Sequence, residues 1–414
     1  MEPEKKILKV GLITNSYLPN LNGVSITLSN LEKSLRDKGI QVYIITPKIP
    51  GVVYPDYILP LPSVPAPSYT SKDLRIPISF NKAVKFLKNN GVQILHSHDT
   101  FVGGVDTVFI AKKLGIPCLH TYHTLVEEYD YFKIIGYKQF IRTYSQIVCD
   151  NYDGVIGLST KISKYLRELN VTKPIYNLPN IYIPPQKQSV SIRHNKANPI
   201  SQKEKENLKF DKFINTNQLD KSFNIITWGR VAKEKNLLES INTVLPLLRL
   251  YPDMKYIIAG DGPYRNILQK KIAQLHLERQ VLLYGGYKPV ELDRLASRAK
   301  IFLVTSYSEV LPTTPLEAMN YGLPVVAVDD LAFEYIVHDG INGYFQPIDK
   351  LTKALNDLYH NPDQLAKLSI NAKSSYLNYL EHDYTKDYID LYNKLIIEKQ
   401  AQKNQPTKSL SLAS

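Results

Sequence analysis

Two doubly wound α/β domains, each on a parallel sheet, are what this sequence predicts. Short β-rich apolar runs alternate with helical patterns from the start of the chain. The alternation breaks off once, in a polar stretch at 184–221, and then restarts. A length of 414 residues also exceeds what one ordinary hydrophobic core holds together.

Residues 7–14 (Ile-Leu-Lys-Val-Gly-Leu-Ile-Thr) read as a strand. A turn follows, then a helical pattern through Ile26, Leu28, Leu31 and Leu35 that Gly39 ends, and Gln41 to Pro47 reads as a second strand. The same unit recurs with helices near 79–90 and 103–114 and strands at Val92 to His96 and Pro117 to Thr121. Such alternation predicts a parallel sheet covered on both faces. Between 184 and 221 the chain turns to Lys, Asn, Gln and Ser with Pro184, Pro185 and Pro199, which predicts a basic linker or exposed excursion. Strands are then expected at Asn224 to Trp228, Lys255 to Ala259, Val281 to Tyr284, Ile301 to Thr305 and Pro324 to Val328. Helices alternate with them at Asn236 to Leu250, Arg265 to Leu275, Pro289 to Ala299 and Thr314 to Tyr321. The expected domains are therefore 1–183 and 222–374, with a Tyr-rich helix over 375–399 that returns to the first domain and a disordered tail over 400–414.

No run approaches the ~20 apolar residues that span a bilayer. The first residues, Met1 to Lys9, alternate charge with short apolar residues and offer no signal region, so the expectation is a protein that stays in the cytoplasm. Cys118 and Cys149 make no disulfide framework and no metal-like spacing, and both are expected in the core. The net charge of +12 points to a polyanion nearby. It is concentrated early: residues 1–180 carry +7, 181–222 carry +4 and the remainder +1. The linker's cations up to Lys209 lack interleaved aromatics, which disfavours a nucleic-acid-binding protein.

Two segments after strands suit phosphate binding, while the first also reads as plain turn chemistry and the second as a solvated basic turn. Asn22-Gly23-Val24 precedes the first helix, where a glycine lets backbone N–H groups approach an anion. Gly229-Arg230-Val231-Ala232-Lys233-Glu234-Lys235-Asn236 opens a helix with two cations suited to a diphosphate, Arg as a planar fork and Lys as a point charge. The segment Glu309-Val310-Leu311-Pro312-Thr313-Thr314-Pro315-Leu316-Glu317 sets one carboxylate at a strand exit and another in the next helix, placed to accept from vicinal hydroxyls.

Taken in order, these segments resemble the retaining glycosyltransferases of group 1, the glycogen-synthase-like family with the GT-B fold. The resemblance runs from Val10 to about Asp349 and includes Gly260-Asp261-Gly262-Pro263 and Tyr284-Gly285-Gly286-Tyr287. It implies two Rossmann-like doubly wound domains facing across a cleft, with the acceptor bound by the first and a nucleotide sugar by the second. It also implies that no metal or other cofactor is needed. Arg230 and Lys235 would stabilise the leaving diphosphate, Glu309 would hold the hexose and Glu317 the ribose. Gly229, Gly262, Tyr287, Leu311, Pro312 and Thr313 would complete the donor site with Gly23. His123, in His120-Thr121-Tyr122-His123-Thr124, would face the donor sugar as a catalytic residue. His98, in His96-Ser97-His98-Asp99, would lie on the acceptor side, with His96 and His120 turned into packing. The chain departs from many members at Val310 and Pro312, where glycine is frequent, and Pro312 has no N–H to offer the donor.

Within that family Pro19-Asn20-Leu21-Asn22-Gly23-Val24, the His120 to Thr124 run and Glu127-Glu128-Tyr129-Asp130-Tyr131 look most like bacterial diacylglycerol glucosyltransferases. That implies UDP-glucose as donor, a membrane lipid as acceptor and a peripheral place on the inner face of the cell membrane. The residues independently suit an anionic headgroup layer. Tyr129, Phe132 and Ile134 are interleaved with Lys133, Lys138 and Arg142, and the helix near 80–90 sets Lys82, Lys85 and Lys88 beside Phe80, Val84 and Leu87, a pattern that equally fits an amphipathic helix packed on its own sheet. The alternative acceptor is a soluble or polyprenyl-linked one in cell-wall or capsule assembly.

Overall fold

The computed structural model describes residues 7–20, 22–65, 75–78, 80–99, 102–125, 136–184 and 210–404. Its first sheet grows from β1 (Lys9–Ile13), an apolar run whose Val10, Leu12 and Ile13 are buried. Such a run fits a strand covered on both faces. The sheet is all parallel in the order β3-β2-β1-β6-β7-β8-β9. The other members are β2 (Gln41–Pro47), β3 (Ile58–Leu61), β6 (Ile94–Ser97), β7 (Cys118–Tyr122), β8 (Gly154–Gly157) and β9 (Ile175–Asn177). A small antiparallel pair, β4 (Ser63–Pro65) and β5 (Arg75–Pro77), is appended to it.

The second sheet, also parallel, runs β12-β11-β10-β13-β14-β15. Its strands are β10 (Phe223–Trp228), β11 (Met254–Ala259), β12 (Val281–Gly285), β13 (Ala299–Val304), β14 (Val325–Val328) and β15 (Gly343–Gln346). In each sheet the strand order reverses beside the first strand, between β1 and β6 and between β10 and β13. Open α/β sheets bind ligands beyond the strand C-termini at such a reversal.

The chain divides into two compact units, residues 1–182 with 383–414 and residues 183–382. The boundary expected at 374/375 falls inside the helix Pro362–Glu381. That helix stays with the second unit because its Leu368, Ala372 and Tyr376 are buried there, and Ser369 Oγ donates to Gly322 O. The last helix, Tyr384–Asn404, returns to the first unit and runs past Lys399, where it was expected to end. Lys38 Nζ meets Asp383 Oδ2 at 2.6 Å and Lys399 Nζ meets Asp153 Oδ1 at 2.8 Å. The expected excursion at 184–221 is packed in its last third: 210–216 is helical, with Phe210, Ile214 and Leu219 buried. Phe210 and Phe213 set ring edges against Tyr284, at 5.8 and 5.0 Å between centroids. Cys118 and Cys149 are free and buried, and burial pushes both thiols up to about 12.

Candidate active site

The strand reversal of the second unit brings together the loops after β10 and β13. After β10 the chain makes a single 3-10 turn, Lys233–Lys235, and enters the helix Leu237–Leu250 through Asn236 in the left-handed region. Asn tolerates that conformation better than most residues. Its side chain then binds the two loops: Asn236 Nδ2 donates to Thr305 O at 3.1 Å, and Thr305 Oγ1 donates to Asn236 O at 3.1 Å. Ser306 Oγ and Ser308 Oγ both donate to Glu234 O, at 3.0 and 2.8 Å.

On this scaffold Lys235 Nζ lies 2.6 Å from Glu309 Oε1, with the carboxylate the more buried partner. Arg230 is exposed and paired with Glu234. Two cations and two carboxylates thus share one loop cluster, Lys235 held by Glu309 and Arg230 by Glu234. Glu317 sits in the first turn of the helix Thr314–Asn320. Trp228 Nε1 donates to its Oε2 at 2.8 Å, and Thr313 Oγ1 donates to its Oε1 at 3.4 Å. Burial pushes the Glu317 carboxyl above its ordinary range, and these two hydrogen bonds pull the other way. Tyr287 is pushed up to about 12 by burial and then by the Glu317 charge. Leu311 and Pro312 are buried.

Gly229, Gly260 and Gly262 close the base of the cluster. Gly229 N donates to Ala259 O and Val231 N to Asp261 O, at 3.0 and 2.9 Å. Gly260 and Gly262 have φ of +145° and +158°, and a Cβ on either would lie 1.8 Å from Gly229 O or 2.3 Å from Val231 O. Gly262 therefore serves the close approach of two backbones.

In the first unit His96, His98 and His123 form a ring-to-ring file, and His120 packs apart from it on tyrosines. His96 is fully buried, with Nδ1 2.7 Å from Tyr392 Oη and Nε2 2.7 Å from Thr121 Oγ1. Its ring lies 4.2 Å from that of His98, whose Nδ1 is 2.8 Å from His123 Nε2. His120 stacks on Tyr152 at 5.1 Å. Burial drives His96 and His98 well below the ordinary imidazole range and takes His123 to about 3 and His120 to about 4. The file is uncharged at neutral pH. Gly23 opens the helix Gly23–Asp37, where Asn22 Oδ1 caps the Ser25 N–H at 3.0 Å and open space lies over Gly23 itself.

Tyr129, Phe132, Lys133 and Ile134 lie outside the described residues. The helix Asn81–Asn89 takes the second of its two readings. Leu87 is in the core and Phe80 and Val84 pack on it, because the sheet beneath takes the apolar stripe; Lys82, Lys85 and Lys88 face outward with Asn81 and Asn89. On the helix Tyr137–Cys149, Lys138 is exposed, while the Arg142 guanidinium lies over the Tyr165 ring, 5.5 Å from its centroid.

Several residues of the site carried no motif. Trp228 is the only tryptophan in the chain and sits at a strand exit, a signal available in the sequence. Tyr392 had none, since its role rests on a contact with His96 across 296 positions.

Residues 21–182 match glycosyltransferase family 4, and residues 209–375 match the glycosyl transferases group 1. The alpha-monoglucosyldiacylglycerol synthase of Acholeplasma laidlawii is 27% identical over 418 residues, covering 94% of this chain and 98% of that protein. The Streptococcus pneumoniae protein of the same name is 27% identical over 368 residues, covering 86% and 79%. Among solved structures, Anabaena Alr3699/HepE in complex with UDP has a TM-score of 0.66 at 15% identity, covering 96% of this chain and all of that one. The sucrose-phosphate synthase of Thermosynechococcus elongatus scores 0.68 at 18%, covering 94% and 100%. The first match takes in every strand of the first sheet except β1 and the second takes in the whole second sheet, and the chain is a glycosyltransferase of the two-Rossmann-domain, GT-B type, with a family 4 domain followed by a group 1 domain.

Proposed function

We propose that the protein transfers glucose from UDP-glucose to the free hydroxyl of diacylglycerol, with retention of anomeric configuration and without a metal, at the inner face of the cell membrane. The observation that carries the reading is the Lys235–Glu309 pair at the strand reversal, in a chain aligned over nearly its whole length with an alpha-monoglucosyldiacylglycerol synthase. Lys235 and Arg230 exchange their carboxylate partners for the donor diphosphate and stabilise the charge that develops as it leaves. Glu309, freed from Lys235, accepts from hydroxyls of the hexose, and Glu317 accepts from the ribose beside Tyr287. A neutral His123 meets the sugar without opposing the positive charge that grows on its ring.

The test is incubation with radiolabelled UDP-glucose and diacylglycerol in mixed micelles, with and without a chelator. Label entering the organic phase as an α-glucoside under both conditions is expected. Label remaining in water, or a β-linkage, defeats the proposal.

The membrane surface in this reading is the outer face of three helices that share one core, Asn81–Asn89, Val102–Leu114 and Tyr137–Cys149. The middle one contributes Val105, Phe109, Lys112 and Lys113, all exposed, to the lysines already named, and Phe140 on the third is 66% exposed. Lysines near anionic lipid contribute on the order of 1 kcal/mol each. Sedimentation with phosphatidylglycerol vesicles is therefore expected at low salt and should fall at high salt. Binding equally strong to neutral vesicles would remove the cationic face from the account.

Trp228→Phe is expected to raise the KM for UDP-glucose by about tenfold with little change in kcat, since it removes one hydrogen bond from a buried carboxylate. The lost N–H is one of the two bonds that lower the Glu317 carboxyl, so its loss moves that group further up. The pH below which donor affinity falls should accordingly shift upward. An unchanged pH profile would show that the indole does not set the charge of Glu317.

A further inference from the structure

The middle ring of the histidine file carries a nitrogen with nothing to bind among the described residues. His98 is 5% exposed, its Nδ1 is engaged by His123, and its Nε2 has no hydrogen-bond partner among the described residues. A buried ring nitrogen left this way is costly unless something arrives to pair with it. The residue stands directly after β6, and its backbone N–H donates to Ile13 O at the end of β1, at 2.9 Å. That is the strand reversal of the first unit, where such a sheet receives a ligand.

What aims the ring is remote in sequence. Both nitrogens of His96 are taken, one by Thr121 and the other by the hydroxyl of Tyr392 on the C-terminal helix, so the His96 ring cannot turn. His98 lies against that fixed ring at 4.2 Å and is held on its other side by His123. Tyr392 is buried in turn, its helix seated by Leu391, Leu395 and Ile396.

We propose that the acceptor hydroxyl of the lipid hydrogen-bonds to Nε2 of His98, and that Tyr392 is a positioning residue for it, acting through His96 on the His98–His123 pair. The inference rests on the reaction proposed above and deepens it by naming the atom that orients the acceptor. An uncharged imidazole suits this place, since it exchanges a hydrogen bond with a hydroxyl without setting a cation beside the reacting sugar. The last helix of the chain thereby becomes part of acceptor recognition.

Kinetics of the full-length protein with diacylglycerol in mixed micelles test both halves. Asparagine keeps an amide near the Nδ1 position of histidine, whereas glutamine places one near Nε2. His98→Asn is therefore expected to lower kcat/KM for diacylglycerol by about tenfold or more, leaving the KM for UDP-glucose unchanged, and His98→Gln to recover part of the loss. Tyr392→Phe should lower the same acceptor parameter by about fivefold with the donor KM unmoved. A Tyr392→Phe protein that melts lower but keeps wild-type acceptor kinetics would reduce Tyr392 to a structural role and overturn its part. Equal losses in His98→Asn and His98→Gln, or a rise in donor KM, would overturn the assignment of Nε2. Failure of the wild-type protein to glucosylate diacylglycerol sinks the proposed reaction and this inference with it. Wild-type transfer with unaltered variants sinks the inference alone.

Discussion

Lys235→Ala is expected to lower kcat by about 10²- to 10³-fold at saturating UDP-glucose, the scale on which removing one preorganised charge from a developing anion is felt. The effect on folding should be small. The Lys235 side chain is 34% exposed and its pair with Glu309 lies near the surface, where such pairs contribute about 0–1 kcal/mol. The two readouts therefore separate, with turnover falling steeply and the melting temperature hardly moving. Lys235→Arg, which restores the charge with a different shape, should recover only part of the rate. Wild-type turnover in Lys235→Ala would leave the leaving diphosphate without its proposed stabiliser.

Gly260→Ala acts on the other side of that separation. At φ +145° an L-residue is strained, and its Cβ would stand 1.8 Å from Gly229 O, so the loops after β10 and β11 must part. Strain and overlap together are expected to cost about 3 kcal/mol or more. Soluble yield and the melting temperature of the second unit should both drop, and donor binding should fail with them because Gly229 and Arg230 lie on the displaced loop. Gly286→Ala is the control, since open space surrounds a Cβ there. Equal stability of the two variants, followed by thermal melting, would show that the two loops do not need their close approach.

Much of the donor site was legible because its parts are local. A strand exit, two cations and a helix start fall within Gly229 to Asn236, and two carboxylates fall within Glu309 to Glu317, so the residue types were readable in short segments, and the family resemblance gave them their proposed roles. The pairing of Lys235 with Glu309 joins two such segments across 74 positions, and the strand reversal supplies it. The helix at 81–89 shows the opposite case. Its lysines and apolar residues were readable, yet which way the apolar stripe faced depended on the sheet beneath, and the sheet took it. β8, a run of Gly-Val-Ile-Gly, was invisible to pattern because two of its four residues have no side chain to bury, although both its neighbours in the sheet pair with it.

The order of chemical groups along the chain, and the alternation that makes each half a parallel sheet, were set by sequence alone, because periodicity and turn residues act over a few positions. Where between Pro362 and Tyr384 the chain passes from the second unit to the first, which nitrogen of His98 stays unpaired and which ring holds Glu317 were decided only in three dimensions. Those properties depend on buried partners 296 and 89 positions away, brought into reach by burial of side chains that carry no motif of their own.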